Sequence, residues 1–370
     1  MSYKVVLAVT GGGSRVIPLL LARSGASRVV LEASVPYHPA ALAEYVGGPV
    51  EGACSEATAL RLAVAAYQRG RRFTEGENSG AVAGVGCTAA LATDRVRRGR
   101  DRAFVAVHAG ARSLTLAADF GRAESDRGAE ETWVAELVAA ALRELEISVE
   151  GLSLPSFPTV AREHAASQAW MDLSEGRIVA VGSEGGEEGE RTWKVPPVLR
   201  RQVVFPGSFN PLHEGHLQMA EIAAARLGMP VTFELSIANA DKPPLDYLTI
   251  ADRAQQFTAR GLPLVLTRSP RFDHKAALFP GAVFVIGADT AIRLADPRFY
   301  DNDPGRRDAA LQQIAKAGCR FLLFGRQMGQ RFADPRQLKL PEVIRELCED
   351  VPPSEFRNDI SSTELRRERE

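Results

Sequence analysis

At 370 residues the chain is too long for a typical single domain, and 45% hydrophobic with 25% charged residues is the balance of a globular protein with well-filled cores. Its 45 Lys and Arg nearly cancel 46 Asp and Glu, so no general attraction to DNA, RNA or an anionic membrane is expected. Local basic runs such as RVRRGRDR (95–102) read as solvated surface.

In chain order, MSYKVVLAVTGGG passes straight into a strand-and-glycine pattern without a basic leader, and no apolar run reaches the ~18–20 residues of a membrane span. Strand YKVVLAV, turn TGGGS and apolar RVIPLLLARSG suggest an α/β layer structure. SRVVLEASVPY reads as a further strand, and SEATALRLAVAAYQRG as a helix with Ser55 as N-cap and Glu56 in its first turn. SGAVAGVGCTAAL and DRAFVAVHAG read as strands, and GAEETWVAELVAAALRELE as an amphipathic helix with Trp133, Leu137, Ala140, Ala141 and Leu145 on its apolar stripe. Cys54, Cys87, Cys319 and Cys348 are scattered, with no C-x-x-C pair and no histidine at metal-ligand spacing. That argues against a zinc site and a disulfide framework and, with no leader, predicts a cytoplasmic protein without a membrane or nucleic-acid partner.

The stretch VGSEGGEEGERTWKVPPVLRRQ (181–202) is rich in glycine and glutamate and closes on a proline pair, the composition of a linker. The expected organisation is a first domain over residues 1–180, a linker over 181–199 and a second domain over 200–370. In the second domain RQVVFPG reads as a strand and EGHLQMAEIAAARLG as a helix closed by Gly228. VTFELSIA, LPLVLTR, AVFVIGADT and CRFLLFGR read as strands; TIADRAQQFTARG, opened by Thr249, and GRRDAALQQIAKAG read as helices. Continuous apolar strands alternating with helices predict a doubly wound parallel sheet covered on both faces. The fold class is therefore two α/β domains, the second Rossmann-like.

Ligands of such sheets sit at the carboxyl ends of the strands. The stretch VVFPGSFNPLHEGH (203–216) falls at the first of these ends. Gly207, lacking a Cβ, would let a phosphate approach the backbone. A helix beginning near His213 would offer free N–H groups and its positive dipole end to an anion. His213 and His216 share one face of its first turn, with Gly215 keeping the surface low between them. Two imidazole N–H donors and helix N–H groups suit the transfer of a nucleotidyl group, which places extra negative charge around an in-line phosphorus.

GSFNPLHEGH resembles the H-x-G-H signature of the nucleotidyltransferase superfamily, whose fold is Rossmann-like. VIGADT (285–290) resembles the strand-end G-x-D of nicotinamide and nicotinate mononucleotide adenylyltransferases, and DISSTELRR (359–367) their I-S-S-T-x-x-R motif. The three occur in that order over about residues 200–370. The resemblance implies catalytic roles for His213, His216 and Arg366, and binding of ATP and substrate by Gly207, Ser208, Phe209, Asn210, Lys242, Gly287, Asp289, Ser361, Ser362 and Thr363. Of these, Ser361 to Thr363 would open a helix cradling the β- and γ-phosphates, with Arg366 as counter-charge, while Lys242 sits on the phosphates and Asp289 orients the nucleotide. Mg²⁺ bridging ATP oxygens and keeping few protein ligands is the implied cofactor. No protein nucleophile is required, because the acceptor phosphate attacks the α-phosphorus of ATP. Class I aminoacyl-tRNA synthetases share H-x-G-H but need a K-M-S-K-S-like loop that is not seen. Cytidylyltransferases usually carry I-S-T-T, and pantetheine-phosphate adenylyltransferases a Thr in place of His213. The expected function is adenylyl transfer to nicotinamide or nicotinate mononucleotide. The alternatives are a nucleotide-binding regulatory protein without turnover, or transfer to another phosphate-bearing acceptor.

The first domain, from TGGGSRVIPLLLARSG through GACSEATALRLAVAAYQ, resembles the CinA C-terminal domain family, several members of which are nicotinamide-nucleotide amidases. Thr10, Gly11, Gly12, Tyr37 and residues 52–56 match its landmarks. The family's E-S-C-T-G-G reads LAVTGG here, so Leu7, Ala8 and Val9 replace Glu, Ser and Cys, and Leu42 replaces the lysine of Y-S-N-E-A-K. A hydrolase needs an activated nucleophile and a base. The expectation is a non-catalytic relative that binds a nucleotide, supports a homo-oligomer or is purely structural.

Overall fold

The computed structural model describes residues 3–50, 52–75, 81–93, 99–121, 126–185, 191–195, 202–238, 245–328 and 331–357. The chain divides into two compact units, with the division between Ala166 and Ser167.

The first unit runs β1 (Lys4–Thr10), α1 (Val16–Ala22), β2 (Val30–Ser34), α2 (Pro39–Val46), α3 (Glu56–Phe73), β3 (Val82–Ala90), β4 (Asp101–His108), β5 (Arg112–Gly121), α4 (Arg127–Arg143) and β6 (Thr159–Ala165). Its six-stranded sheet has the order β2-β1-β3-β4-β5-β6, parallel over the first three strands and antiparallel over the rest. Strand side chains alternate between faces. Val5, Leu7 and Val9 enter the main core with Leu20 of α1 and Val134 and Leu137 of α4. Ala8 faces Leu42 of α2 and Leu62 of α3 on the other side. There α3 lies backbone-close to β3: a Cβ on Gly84 would stand 2.0 Å from the Ala63 carbonyl oxygen, and one on Gly86 2.3 Å from that of Ala59. Glycine in the strand permits that approach. Ser55 caps α3 as expected, its hydroxyl accepting from the Thr58 N–H at 3.2 Å.

The second unit runs α5 (Gln168–Ser174), β7 (Ala180–Gly185), β8 (Arg191–Lys194), β9 (Val203–Pro206), α6 (Glu214–Leu227), β10 (Val231–Ser236), α7 (Tyr247–Thr258), β11 (Leu264–Thr267), α8 (Phe272–Leu278), β12 (Val283–Gly287), α9 (Ala288–Ala295), α10 (Pro304–Lys316), β13 (Arg320–Phe324), a hairpin of β14 (Arg326–Met328) and β15 (Arg331–Ala333), α11 (Glu342–Leu347) and β16 (Cys348–Asp350). The sheet order is β16-β13-β12-β9-β10-β11-β7-β8. The six strands from β16 to β11 are parallel, and counted along the chain they stand 6-5-4-1-2-3, the doubly wound order. The winding reverses between β9 and β12. Val204 faces the core built with α8, α9, α10 and α11, whereas its neighbour Phe205 faces an aromatic cluster with Phe209 and with Phe257 of α7.

Two expectations need correction. The unit boundary falls before α5 rather than near residue 180, and the stretch expected as a linker contains β7 and β8, antiparallel strands that extend the second unit's sheet from β11, with β8 at its edge. Ladder hydrogen bonds from β11 to β7 and from β7 to β8 hold this segment, with Val181 buried and Trp193 packed on Trp170; residues 186–190 and 196–201 lie outside the described residues. Helix α7 begins at Tyr247 with Asp246 as its cap, and Thr249, expected to open it, instead donates its hydroxyl to Asp246 at 2.6 Å. Gly228 closes α6 at φ +63° as expected. The four cysteines are free, and among the described residues no helix is long and apolar enough to cross a membrane.

Candidate active site

The histidine turn is built on β9. The Gly207 N–H donates to the Glu234 carbonyl at 3.0 Å, carrying the β9–β10 contact past the end of the strand. Phe209, at φ +44°, folds its ring back beneath the turn, where it is 1% exposed. The ring meets Phe233, Phe257 and His216 edge-on at 5.1–5.5 Å. A Cβ on Gly207 would stand 2.6 Å from the Phe209 Cζ, so the glycine admits this ring. Helix α7 pins the same turn: the Leu212 N–H donates to Gln256 Oε1 at 2.8 Å, Gln256 Nε2 donates to the Phe209 carbonyl at 3.4 Å, and Arg253 Nη1 donates to the Ser208 carbonyl at 3.1 Å.

His213 is the N-cap of α6, and its ring stacks on that of His216 with centroids 3.8 Å apart. The His213 N–H donates to His216 Nδ1 at 3.3 Å, which assigns the neutral ring's proton to Nε2. Burial, with His213 and Arg326 nearby, holds the His216 pKa down to about 3; burial and then Arg326 lower that of His213. Both rings are therefore neutral N–H donors at neutral pH. His213 Nδ1 is buried without a hydrogen-bond partner among the described residues.

Both rings line a cavity of about 460 Å³ over the carboxyl ends of β9, β10 and β12, the place where the winding of the sheet reverses. Gly207, Ser208, Gly287 and Asp289 line it too. Gly287 caps α9, and Asp289 in the first turn accepts from Arg326 Nη1 at 2.8 Å through Oδ2, while its Oδ1 is buried without a partner among the described residues. Six expected site residues thus meet in one cavity. Phe209 and Asn210 do not line it: the Phe209 ring is instead core, supporting His216 from behind. Lys242, Ser361, Ser362, Thr363 and Arg366 lie outside the described residues.

Among the lining residues that the motifs did not anticipate are Arg253, Arg326, Glu234 and Lys275. Glu234 is fully buried in β10 and Lys275 on α8 is 5% exposed; Lys275 Nζ donates to the two Glu234 oxygens at 2.7 and 2.6 Å, and the Thr267 hydroxyl donates to Oε1. A charged residue inside an otherwise apolar strand, VTFELS, was the available signal. Among the described residues no group of three or more His, Cys, Asp or Glu side chains is arranged to hold a metal ion.

In the first unit, Leu7, Ala8 and Val9 are fully buried in β1, and Leu42 packs against Ala8 and Leu62. The positions of the resembled family's serine and lysine are thus filled by an apolar cluster. Tyr37 remains exposed, its hydroxyl accepting from Arg127 Nη2 at 3.1 Å.

A family model described as cytidylyltransferase-like matches residues 204–368. No curated protein sequence matches the chain. Among solved structures, the chain is similar to the competence/damage-inducible protein CihA from Agrobacterium tumefaciens, at 21% identity over 39% of this chain and 86% of that one, with a TM-score of 0.31. It is also similar to CinA superfamily proteins from Enterobacter cloacae (16% identity, 38% of this chain, 82% of that one, TM-score 0.30) and Escherichia coli (14%, 39%, 81% and 0.28). The cytidylyltransferase-like match over residues 204–368 takes in the histidine turn and the cavity beside it, and supports a nucleotidyltransferase domain there.

Proposed function

We propose that the protein transfers an adenylyl group from ATP to the phosphate of nicotinamide or nicotinate mononucleotide, releasing pyrophosphate. The observation that carries this reading is the stacked, neutral His213–His216 pair at the head of α6, facing a cavity at the reversal of a doubly wound sheet. In the reaction an acceptor phosphate oxygen forms a bond to the α-phosphorus as the bond to the pyrophosphate oxygen breaks. His216 Nε2–H and His213 donate to the phosphate oxygens that gain charge, a task for preorganised donors in a water-poor site. Arg253 and Arg326 add positive charge at the cavity, and the segment DISSTELRR is assigned the β- and γ-phosphates through its resemblance. Asp289, with one uncommitted buried oxygen, fits a single carboxylate ligand to Mg²⁺, which keeps several waters. When bound, Mg²⁺ would neutralise phosphate charge. The first unit contributes no hydrolysis in this reading, since Ala8 and Leu42 offer neither nucleophile nor base.

The test is pyrophosphate release by the purified full chain with ATP or CTP and a panel of phosphate-bearing acceptors. Release with ATP and a pyridine mononucleotide is expected. Release with CTP instead would replace the donor, and silence across the panel would favour a binding protein without turnover.

A further inference from the structure

Among the described residues four arginines line the cavity, and three of them are committed to the protein. Arg271 donates to both oxygens of Asp273 at 3.1 and 2.5 Å, and its guanidinium lies 5.5 Å from the centre of the Tyr300 ring. The Arg293 guanidinium lies 4.6 Å over the Phe299 ring, and Arg253 holds the Ser208 carbonyl at 3.1 Å. Arg326 differs. Among the described residues its one hydrogen bond runs from Nη1 to Asp289 Oδ2 at 2.8 Å, and the two side chains are 36% and 37% exposed in the cavity wall. A guanidinium carries five N–H donors in a planar fork, so most of this fork faces no protein acceptor.

The backbone fixes where this side chain stands. Arg326 opens the β14–β15 hairpin directly after β13, whose last residue, Phe324, pairs with Gly287 at the end of β12. Phe332 of β15 folds back over Gly325, where a Cβ would run into its ring, and the Arg357 guanidinium lies 5.4 Å over that ring. Asp289, in the first turn of α9, meets the guanidinium from the neighbouring strand end. Behind burial, the charge of Arg326 helps to hold both imidazole pKa values down, so it lies close to the histidine pair. Neutral imidazoles donate hydrogen bonds but carry no charge, whereas a guanidinium stays charged. Its pair with Asp289 is a weak holding contact, since an ion pair a third exposed contributes little. A phosphate, by contrast, takes two parallel N–H bonds from the fork.

We propose that Arg326 is a catalytic residue that binds the nucleotide phosphates beside the histidine pair, leaving Asp289 for them when the nucleotide enters; this rests on the nucleotidyl-transfer reading. In the empty cavity Asp289 keeps the guanidinium at the wall. A phosphate oxygen then replaces Asp289 Oδ2 as acceptor, with no covalent bond made or broken, and the carboxylate is released. The arginine supplies the charge and the imidazoles supply the directed donors.

Calorimetry of the full chain with inorganic pyrophosphate, without added metal, tests this. Pyrophosphate is the product shared by ATP and CTP as donors, so the outcome depends on neither donor nor acceptor. Arg326→Gln should weaken its binding at least about 10-fold, the lower end of what a hydrogen bond to a charged group contributes. Arg326→Lys, which keeps the charge and loses the fork, should fall between the two. Asp289→Asn removes the competing carboxylate and should bind pyrophosphate at least as tightly as the wild type. An ion pair that served the fold alone would make the Gln and Asn variants lose binding together. That result, binding unchanged in Arg326→Gln, or a wild type that binds no pyrophosphate overturns the proposal. Both single variants should melt within about 4 °C of the wild type; should Arg326→Gln melt lower, Arg326→Lys and Asp289→Asn decide in its place. Absence of pyrophosphate release with every acceptor, with the Arg326 effect on binding intact, would sink the reaction assigned above but not this role. Release by a wild type whose pyrophosphate affinity Arg326→Gln leaves unchanged would sink this role alone.

Discussion

Replacing Lys275 with Met in an otherwise unchanged chain should be strongly destabilising. Glu234 is 0% exposed and Lys275 5% exposed, and beyond the Thr267 hydroxyl the ammonium is the sole charge compensation the described residues give that carboxylate. Removing one partner of a buried pair costs about 3–5 kcal/mol, because the remaining charge is left in a dry site. At about 2–4 °C per kcal/mol for a unit of 150–250 residues, the melting temperature should fall by about 6–20 °C. The double variant Glu234→Leu/Lys275→Met, with no charge left to orphan, should melt within a few degrees of the wild type. Differential scanning fluorimetry at pH 8 reads the difference. A single variant melting within about 2 °C of the wild type at pH 8 would refute the burial of this pair.

Three further outcomes follow from the packing and the charges. With its pKa near 3, His216 stays neutral in the folded chain while the unfolded chain takes up a proton near its ordinary ~6.5, so its contribution to stability is present above that value and lost as pH falls towards 3. NMR of the His216 ring should show no titration between pH 5 and 8; a midpoint near 6.5 contradicts the buried, hydrogen-bonded ring. Gly86→Ala would drive a Cβ to 2.3 Å from the Ala59 carbonyl of α3, where backbone cannot yield as a side chain can, and chemical denaturation should show a loss of about 3 kcal/mol or more; a loss under about 1 kcal/mol would mean that α3 does not lie so close. Gln256→Ala removes the acceptor of the Leu212 N–H and the donor to the Phe209 carbonyl; kcat should fall about 10-fold with KM for ATP little changed, and an unchanged kcat would show that the turn holds without it.

The strands and helices read from the sequence were legible because apolar periodicity and caps agreed, as at Ser55 and Gly228, whereas α2, β5 and β6 of the first unit and α8, α11 and β16 of the second were not read. The H-x-G-H turn and the G-x-D strand end were legible as local motifs, and the fold brings six of their residues to one cavity. What escaped depends on contacts distant in sequence or on short elements. Lys275 sits on a seven-residue helix, 41 positions from Glu234, and neither residue marks the other in advance. Phe209 read as a binding residue because it lies inside the motif, but its left-handed backbone turns the ring inwards, a conformation the letters SFNP do not announce. The segment expected as a linker was misjudged because its two short strands, β7 beside β11 and β8 at the sheet edge, are held by backbone pairing with little apolar alternation to reveal them.

The central claim is that the histidine pair stabilises a transferring nucleotidyl group. Pyrophosphate release by the His216→Ala variant, measured with ATP and a pyridine mononucleotide beside the wild type, tests it most directly. Loss of this donor should lower kcat at least about 100-fold while ATP binding stays largely intact. Turnover equal to that of the wild type would contradict the account.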